Sequence, residues 1–357
     1  MRISFVMLGL KNYSTGGYYF NFKMASALSK AGHEVDVIHL TTMPKKLRGS
    51  RIRGSFYVLK RVLRNRPDLL VVSKSYSFMA PLRLILFTLG YPVLYMVHHL
   101  EWHDRAGGVS NLRKNIVRWF LSCGKKIWVN SRSTADDVIS LGIPESRLCV
   151  IPPGFDRFRT DSEPKQLPVR ILSVGTICSR KDQLTLVKAC AMLGDRDFHL
   201  SILGDETADR DYAEAVRKEA DSLGGKVTFT GHLFTEGLYE MYNQSHILAN
   251  LSHWEGYGIA VAEALWAGLP VLAADAGAVP ELITHGDNGY LMAPGDVESC
   301  ARYLRILIDN GTLRKKMSSN ARERARKLFT WCDTGREFVS LAEETAGCKI
   351  RRNQSGH

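Results

Sequence analysis

Short apolar runs bounded by Gly, Pro, Asn or Asp alternate with helix-like runs along almost the whole chain. Strand-sized and helix-sized segments in alternation are the pattern of βαβ units, which build a parallel sheet covered by helices. Residues 3–8 read as a first strand, and Gly16-Gly17 opens a helical run over 18–30 that Gly32 stops. Strands are expected at 34–40, 69–72, 92–97, 127–130 and 148–151, with helices near 109–123 and from a cap at Ser131 to Gly142. Residues 41–66 are basic and read as less regular. After a polar, proline-containing stretch at 155–168 the alternation resumes. Strands are expected at 169–174, 199–203, 226–230, 247–251 and 271–274, and helices at 181–193, 212–223 and 236–243. Residues 298–328 and 331–346 read as helical.

Single hydrophobic cores stop growing near about 250–300 residues, so a chain of 357 residues should hold two domains. The expected division is an N-terminal Rossmann-like domain over 1–160 and a C-terminal one over 161–330. A C-terminal helix at 331–346 is then available to pack back on the first domain, and 347–357 form a tail. The fold class expected is α/β, two Rossmann-like domains facing across a cleft, which is the natural place for a ligand.

Charge is divided unevenly. Residues 1–160 carry 25 Lys and Arg against 9 Asp and Glu, a net +16, and the remainder 23 against 27, a net −4. Basic residues cluster between Lys45 and Arg66 and again from Arg105 through Arg113, Lys114, Arg118, Lys125 and Lys126. A basic half beside a near-neutral one points to an anionic surface as partner, such as a membrane leaflet, a lipid phosphate or a nucleic acid. The seven cysteines are scattered and none forms a C-x-x-C pair, which argues against a zinc site or disulfide framework and for a reducing cytosol. The N-terminus lacks the small-residue cleavage site of a signal peptide. The longest apolar stretch, 84–97, is 14 residues long and broken by Gly90 and Pro92, too short to span a bilayer. The expected location is cytoplasmic, peripheral on the inner face of the membrane.

The chemistry concentrates in strand-end loops. No G-x-x-x-x-G-K-[ST] and no correctly placed G-x-G-x-x-G occurs, which disfavours a nucleoside triphosphatase or a dinucleotide dehydrogenase. The segment 255–263 (EGYGIAVAE) follows an apolar strand and opens an apolar helix. Two carboxylates therefore flank a glycine-rich helix start, where backbone N–H groups can meet an anion. Were the segment mostly helical, about 1.5 Å per residue would set Glu255 and Glu263 roughly 12 Å apart. That spacing suits gripping the two ends of an extended, phosphate-containing ligand and not a close acid/base pair on one bond. Gly16 and Gly17 let a backbone approach a phosphate without a Cβ in the way. Arg180 and Lys181, in the loop after the first strand of the second series, can neutralise a diphosphate.

Taken together, the E-x7-E motif, the Gly-Gly loop, the 174–182 loop (VGTICSRKD) and the 151–156 stretch (IPPGFD) resemble the family-4 retaining glycosyltransferases of GT-B fold. The run from Gly268 through Gly277, Pro280, Glu281 and Gly286 to Gly289 fits the same pattern. The resemblance covers nearly the whole chain and is strongest over 170–295. It implies a hexosyltransferase that uses a nucleotide-diphospho-sugar and retains anomeric configuration. Glu255 then matches the residue contacting donor sugar hydroxyls, and the backbone of Gly256, Tyr257, Gly258 and Ile259 meets the sugar and phosphates. Glu263 matches the ribose ligand, and Lys181 the group stabilising the leaving diphosphate. Many members carry an Arg directly after the V-G; here that place is Thr176, and Arg180 is given the role. Gly16 and Gly17 would line the diphosphate from the N-terminal side. His98 would stand near the sugar, with the register to His99 left open. No metal or other cofactor is expected, because cations and N–H dipoles are available for the diphosphate. The N-terminal domain would hold a glycan or lipid-linked acceptor on an anionic membrane, and no nucleic-acid motif is present. A nucleotide-sugar 2-epimerase and a non-catalytic nucleotide-sugar-binding protein are the alternatives.

Overall fold

In the computed structural model the residues described are 1–7, 16–39, 51–73, 90–104, 109–160, 168–233 and 235–347. The basic residues Lys45, Lys46, Arg48 and Arg105, the approach to Gly16, residues 84–89 of the 84–97 apolar stretch, the linker at 161–167, Cys348 and the tail beyond Gly347 lie outside them.

The chain divides into two compact units. The first is Met1–Pro153 with Trp331–His357, and the second is Gly154–Thr330. The division thus falls ahead of position 160. The reason is packing: Phe155 and Phe158, inside the stretch read as a linker, are buried in the second unit's core.

The first unit is a six-stranded parallel sheet of β1 (Arg2–Met7), β2 (Glu34–His39), β3 (Leu69–Ser73), β4 (Val93–Val97), β5 (Lys126–Val129) and β6 (Leu148–Val150). Their order is β2-β1-β3-β4-β5-β6. Strands β3 and β4 are buried throughout, as a sheet covered on both faces requires. Helix α1 (Gly16–Lys30) packs through Phe20, Met24 and Leu28, one helical stripe. Helices α2 (Arg51–Asn65), α3 (Asn111–Leu121) and α4 (Arg132–Ser140) bury Val58, Val62, Val117, Phe120 and Val138 in one cluster with strand residues. Ser131 caps α4 by accepting the Thr134 N–H at 3.1 Å. Helix α2 corrects the expectation of an irregular 41–66. Its buried side is narrow, chiefly Ser55, Val58 and Val62, and a density of Arg and Lys hides that stripe in the sequence.

The second unit is also a six-stranded parallel sheet: β7 (Val169–Val174), β8 (Phe198–Leu203), β9 (Val227–Gly231), β10 (Ile247–Asn250), β11 (Val271–Ala274) and β12 (Gly289–Met292). Their order is β12-β11-β10-β7-β8-β9. Helices α5 (Gln183–Ala191), α6 (Arg210–Asp221), α7 (Thr235–Gln244), α8 (Ile259–Ala267), α9 (Val297–Asp309) and α10 (Gly311–Arg326) alternate with or follow the strands. The short strand β12 was not anticipated. Its Gly289 admits close pairing, since a Cβ there would lie 2.1 Å from the Val271 carbonyl oxygen. The expected single helix over 298–328 is two. Asn310 leaves helical geometry at ψ 88° and accepts the Leu313 N–H at 2.9 Å, capping α10.

The last helix, α11 (Trp331–Ala346), belongs to the first unit and lies on α1. The two helices approach closely at Gly335, where a Cβ would sit 3.0 Å from the Ala27 Cβ. Phe338 is fully buried, and Glu343 and Glu344 meet His33 and Lys126 at 3.2 and 3.1 Å.

Candidate functional site

In an open parallel sheet, ligands bind beyond the carboxyl ends of strands where the chain order reverses. In the second unit that point lies between β7 and β10. The loops leaving these two strands carry Arg180-Lys181 and Glu255.

Strand β7 is followed by Gly175, whose φ of 145° is open to glycine alone. The loop then passes through one 3-10 turn, Ser179–Lys181, so that helix α5 begins two residues later than anticipated and Lys181 precedes it. Asp182 adopts a left-handed φ of 53° and caps α5. This geometry lays the Lys181 side chain across Gly175, where a Cβ would lie 3.1 Å from Lys181 Cε. Lys181 Nζ donates to Glu255 Oε1, and Ser252 Oγ donates to the same oxygen at 2.8 Å. The Arg180 guanidinium donates to the Trp254 carbonyl at 2.8 Å, and His253 N–H donates to the Arg180 carbonyl at 2.8 Å. The loop after β11 completes the frame. Ala278 N–H donates to the Glu255 carbonyl at 2.9 Å, and a Cβ on Gly277 would lie 2.2 Å from that oxygen.

Glu255 is 8% exposed. Burial alone would raise its carboxyl, but Lys181 and then Arg180, helped by hydrogen bonds from Lys181 and Ser252, hold it below the ordinary value. Glu263 has the opposite environment. It lies one turn into α8, where burial pushes its carboxyl up to about 7; the Tyr242 hydroxyl, donating at 2.9 Å, opposes the rise and Asp156 adds to it. Only the later part of the 255–263 segment, from Ile259, is helical. Helix α8 starts at Ile259, after Gly258 at φ 96°, so Glu255 stands in the strand-end loop and only Glu263 on the helix. No side chain caps the start of α8. Tyr257 is buried between the two, its hydroxyl without a hydrogen-bond partner among the described residues. Neither Ser252 nor Tyr242 was singled out in the sequence, since an isolated Ser or Tyr gives no motif signal.

The first unit has its own polar cluster at the carboxyl ends of its strands. His98 follows β4 and is buried, whereas His99 is only partly so. His98 Nε2 lies 3.0 Å from Asn21 Oδ1, and Ser73 Oγ, at the end of β3, accepts from Asn21 Nδ2 at 2.9 Å. An amide oxygen only accepts, so the proton of the neutral ring sits on Nε2. Asn130 Nδ2 holds the His98 carbonyl at 2.8 Å, and Phe20 and Trp128 pack edge-on to the ring. Gly17, the second residue of α1, lies beside that ring, where a Cβ would meet it at 3.8 Å, an ordinary contact. The packing thus does not require glycine at 17. Gly16 is exposed at the first position of α1. Among the described residues, no cluster of three or more His, Cys, Asp or Glu could hold a metal ion.

Two family profiles divide the chain between them: "Glycosyl transferases group 1" over residues 155–324 and "Glycosyltransferase Family 4" over residues 19–159. The chain belongs to the group 1 glycosyltransferases of GT-B fold. Each of its units is the Rossmann-like half that this fold repeats. Among solved structures, sucrose-phosphate synthase from Thermosynechococcus elongatus superposes with a TM-score of 0.83 at 18% identity, covering 98% of this chain and 100% of that one. Anabaena HepE in complex with UDP and glucose gives 0.77 at 18%, covering 96% and 100%. The MMP alpha-(1->4)-mannosyltransferase of Mycolicibacterium hassiacum is 24% identical over 72% of this chain and 66% of its own length. The chain spans about half to two thirds of the length of the first curated relatives it matches.

Proposed function

We propose that this glycosyltransferase moves a hexosyl unit from a nucleotide-diphospho-sugar to a hydroxyl acceptor with retention of configuration. The observation that carries this is the Lys181–Glu255 pair at the switch point of the second sheet, with Arg180 beside it and the uncapped start of α8 following. A binding site for a sugar diphosphate needs a hydroxyl acceptor group and fixed cations close together, and these loops bring both. Relatives point the same way: Anabaena HepE was solved with UDP and glucose.

In this reading Glu255 accepts hydrogen bonds from donor sugar hydroxyls, the 256–259 backbone faces sugar and phosphates, and Glu263 takes the ribose. The acceptor oxygen attacks the anomeric carbon, the bond from that carbon to the phosphate oxygen breaks, and the acceptor proton passes to the departing diphosphate. Negative charge grows on that diphosphate in the transition state. Lys181 and Arg180, already positioned by the protein, stabilise it more than the ground state and so accelerate the step. With two cations for the diphosphate, the reading invokes no metal and no protein nucleophile. The first unit is assigned the acceptor, and its excess of positive charge favours an acceptor that is lipid-linked and anionic.

The test is a thermal-shift screen of UDP, GDP and ADP and their sugars, followed by a transfer assay with the sugar that stabilises most. Stabilisation and sugar transfer are expected for the wild type, with transfer lost in Glu255→Ala. Epimerised donor in place of transfer, or binding with no turnover on any hydroxyl acceptor, would overturn the reading.

A further inference from the structure

Two helices of the first unit carry a surface that neither the core nor the donor site uses. Helices α2 and α3 send Val58, Val62, Val117 and Phe120 into one core cluster, so both lie on the same face of the sheet. Each therefore turns its opposite side outward on that face. On α3 the outward side exposes Leu112 (71%), Ile116 (41%) and Trp119 (41%). Spacings of four and three residues place these on one stripe. On α2, Phe56 and Leu63 are exposed at 58% and 45%, again two turns apart. Interleaved with them are the exposed cations Lys60 and Arg64 on α2 and Lys114 and Arg118 on α3. Neither helix contains an Asp or Glu. Arg61 is engaged by Asp36 of β2 and is not part of this surface. The basic character ends at α4, where Asp136 and Asp137 appear.

Large apolar side chains left in water within a purely cationic frame are costly unless something covers them. We propose that the α2–α3 face docks on an anionic lipid bilayer, with Phe56, Leu63, Leu112, Ile116 and Trp119 entering the headgroup layer and the four cations meeting lipid phosphates. The arrangement is that of an interfacial amphipathic helix, an apolar stripe flanked by Lys and Arg. A second copy of the chain is a poor occupant, since a symmetric contact would set cation against cation. The acceptor side of the proposed function gains from this docking, which would hold the chain at the surface carrying a lipid-linked acceptor; the docking itself does not depend on transfer.

Flotation of the full chain with phosphatidylcholine vesicles, with and without phosphatidylglycerol, tests this. The wild type is expected to float with the anionic vesicles and to remain behind with the neutral ones. The triple change Leu112→Ser, Ile116→Ser, Trp119→Ser and the pair Lys60→Glu, Lys114→Glu should each lower the bound fraction about tenfold or more. Nucleotide-induced thermal stabilisation, measured on the same samples, should be unchanged. Should the triple variant not fold, brominated anionic lipid should quench wild-type tryptophan fluorescence more than that of Trp119→Phe. Unchanged flotation of both variants, equal flotation with neutral vesicles, or a wild-type dimer that the triple variant dissociates would each overturn the proposal. A chain that floats but transfers no sugar would refute the proposed function and leave the docking standing; a chain that transfers but does not float would do the reverse.

Discussion

Lys181→Met removes the cation on which the buried Glu255 carboxylate depends. Both side chains are largely withdrawn from water, with 15% of Lys181 and 11% of Glu255 accessible. Removing one partner of such a pair leaves an uncompensated charge and typically costs about 3–5 kcal/mol; the residual accessibility places the expectation near the lower end, about 3 kcal/mol. The pH dependence carries the argument further. In the wild type the Glu255 carboxyl is held below its ordinary 4.5, so its stabilising contribution is present above that pH and fades as pH falls. Without Lys181 the largest cause holding the carboxyl down is gone, so the carboxyl rises toward the value that burial favours and the contribution at neutral pH shrinks. The deficit of Lys181→Met relative to wild type should therefore be largest near pH 8 and shrink toward pH 5. Adding Glu255→Gln should recover most of it, because the orphaned charge is gone. Hydrogen exchange of amides in β7 and β10 measures this locally, without assuming that both units unfold together. A deficit under about 0.5 kcal/mol, one that does not vary with pH, or strict additivity with Glu255→Gln would refute the reasoning. In turnover, Lys181→Ala should lower kcat by about 10²–10³ with little change in donor KM, if Lys181 acts on the leaving diphosphate.

Further expectations follow from neighbouring geometry. Glu263 has a carboxyl raised from 4.5 to about 7, so its stabilising contribution is complete below about 4.5 and lost as pH rises through 7. Glu263→Gln should accordingly flatten the fall of stability between pH 5 and 8 while weakening nucleotide affinity; an unaltered pH profile in urea titrations would contradict this. Gly277→Ala forces a Cβ within 2.2 Å of the Glu255 carbonyl at a φ of 59°. It should cost about 1–3 kcal/mol and weaken donor-sugar binding, and a variant with wild-type stability and affinity would show that this contact does not position Glu255. Asn21→Ala removes the acceptor that sets the His98 proton on Nε2. It should shift the pH profile of transfer more than the thermal stability, and Asn21→Asp should restore the ring's orientation; a profile identical to wild type would exclude a positioning role.

The two alternating series of strands and helices were legible because a parallel strand, buried on both faces, must be a short continuous apolar run, and its glycine and proline boundaries are local. Arg180, Lys181 and Glu255 could be grouped in the sequence because each follows the end of a strand, whereas Glu263 lies on helix α8. Helix α2 was not legible, because cations and the exposed Phe56 and Leu63 crowd around the buried Val58 and Val62 and blur their stripe. The division at Pro153 was hidden for a similar reason, since the polar residues around Phe155 and Phe158 outnumber the two aromatics that commit the segment to the second core.

Chain-local physics, then, was enough to determine the Rossmann-like alternation, the loops that bear charge and the excess of cations in the first half. Only the tertiary structure decided which side chains meet. Lys181 and Glu255 are 74 positions apart, and their pairing exists because β7 and β10 are neighbours in the sheet. Burial around that pair holds one carboxyl low, while burial beside Tyr242 raises the other. Periodicity is written into adjacent residues, whereas solvation and pairing belong to groups that the fold alone brings together.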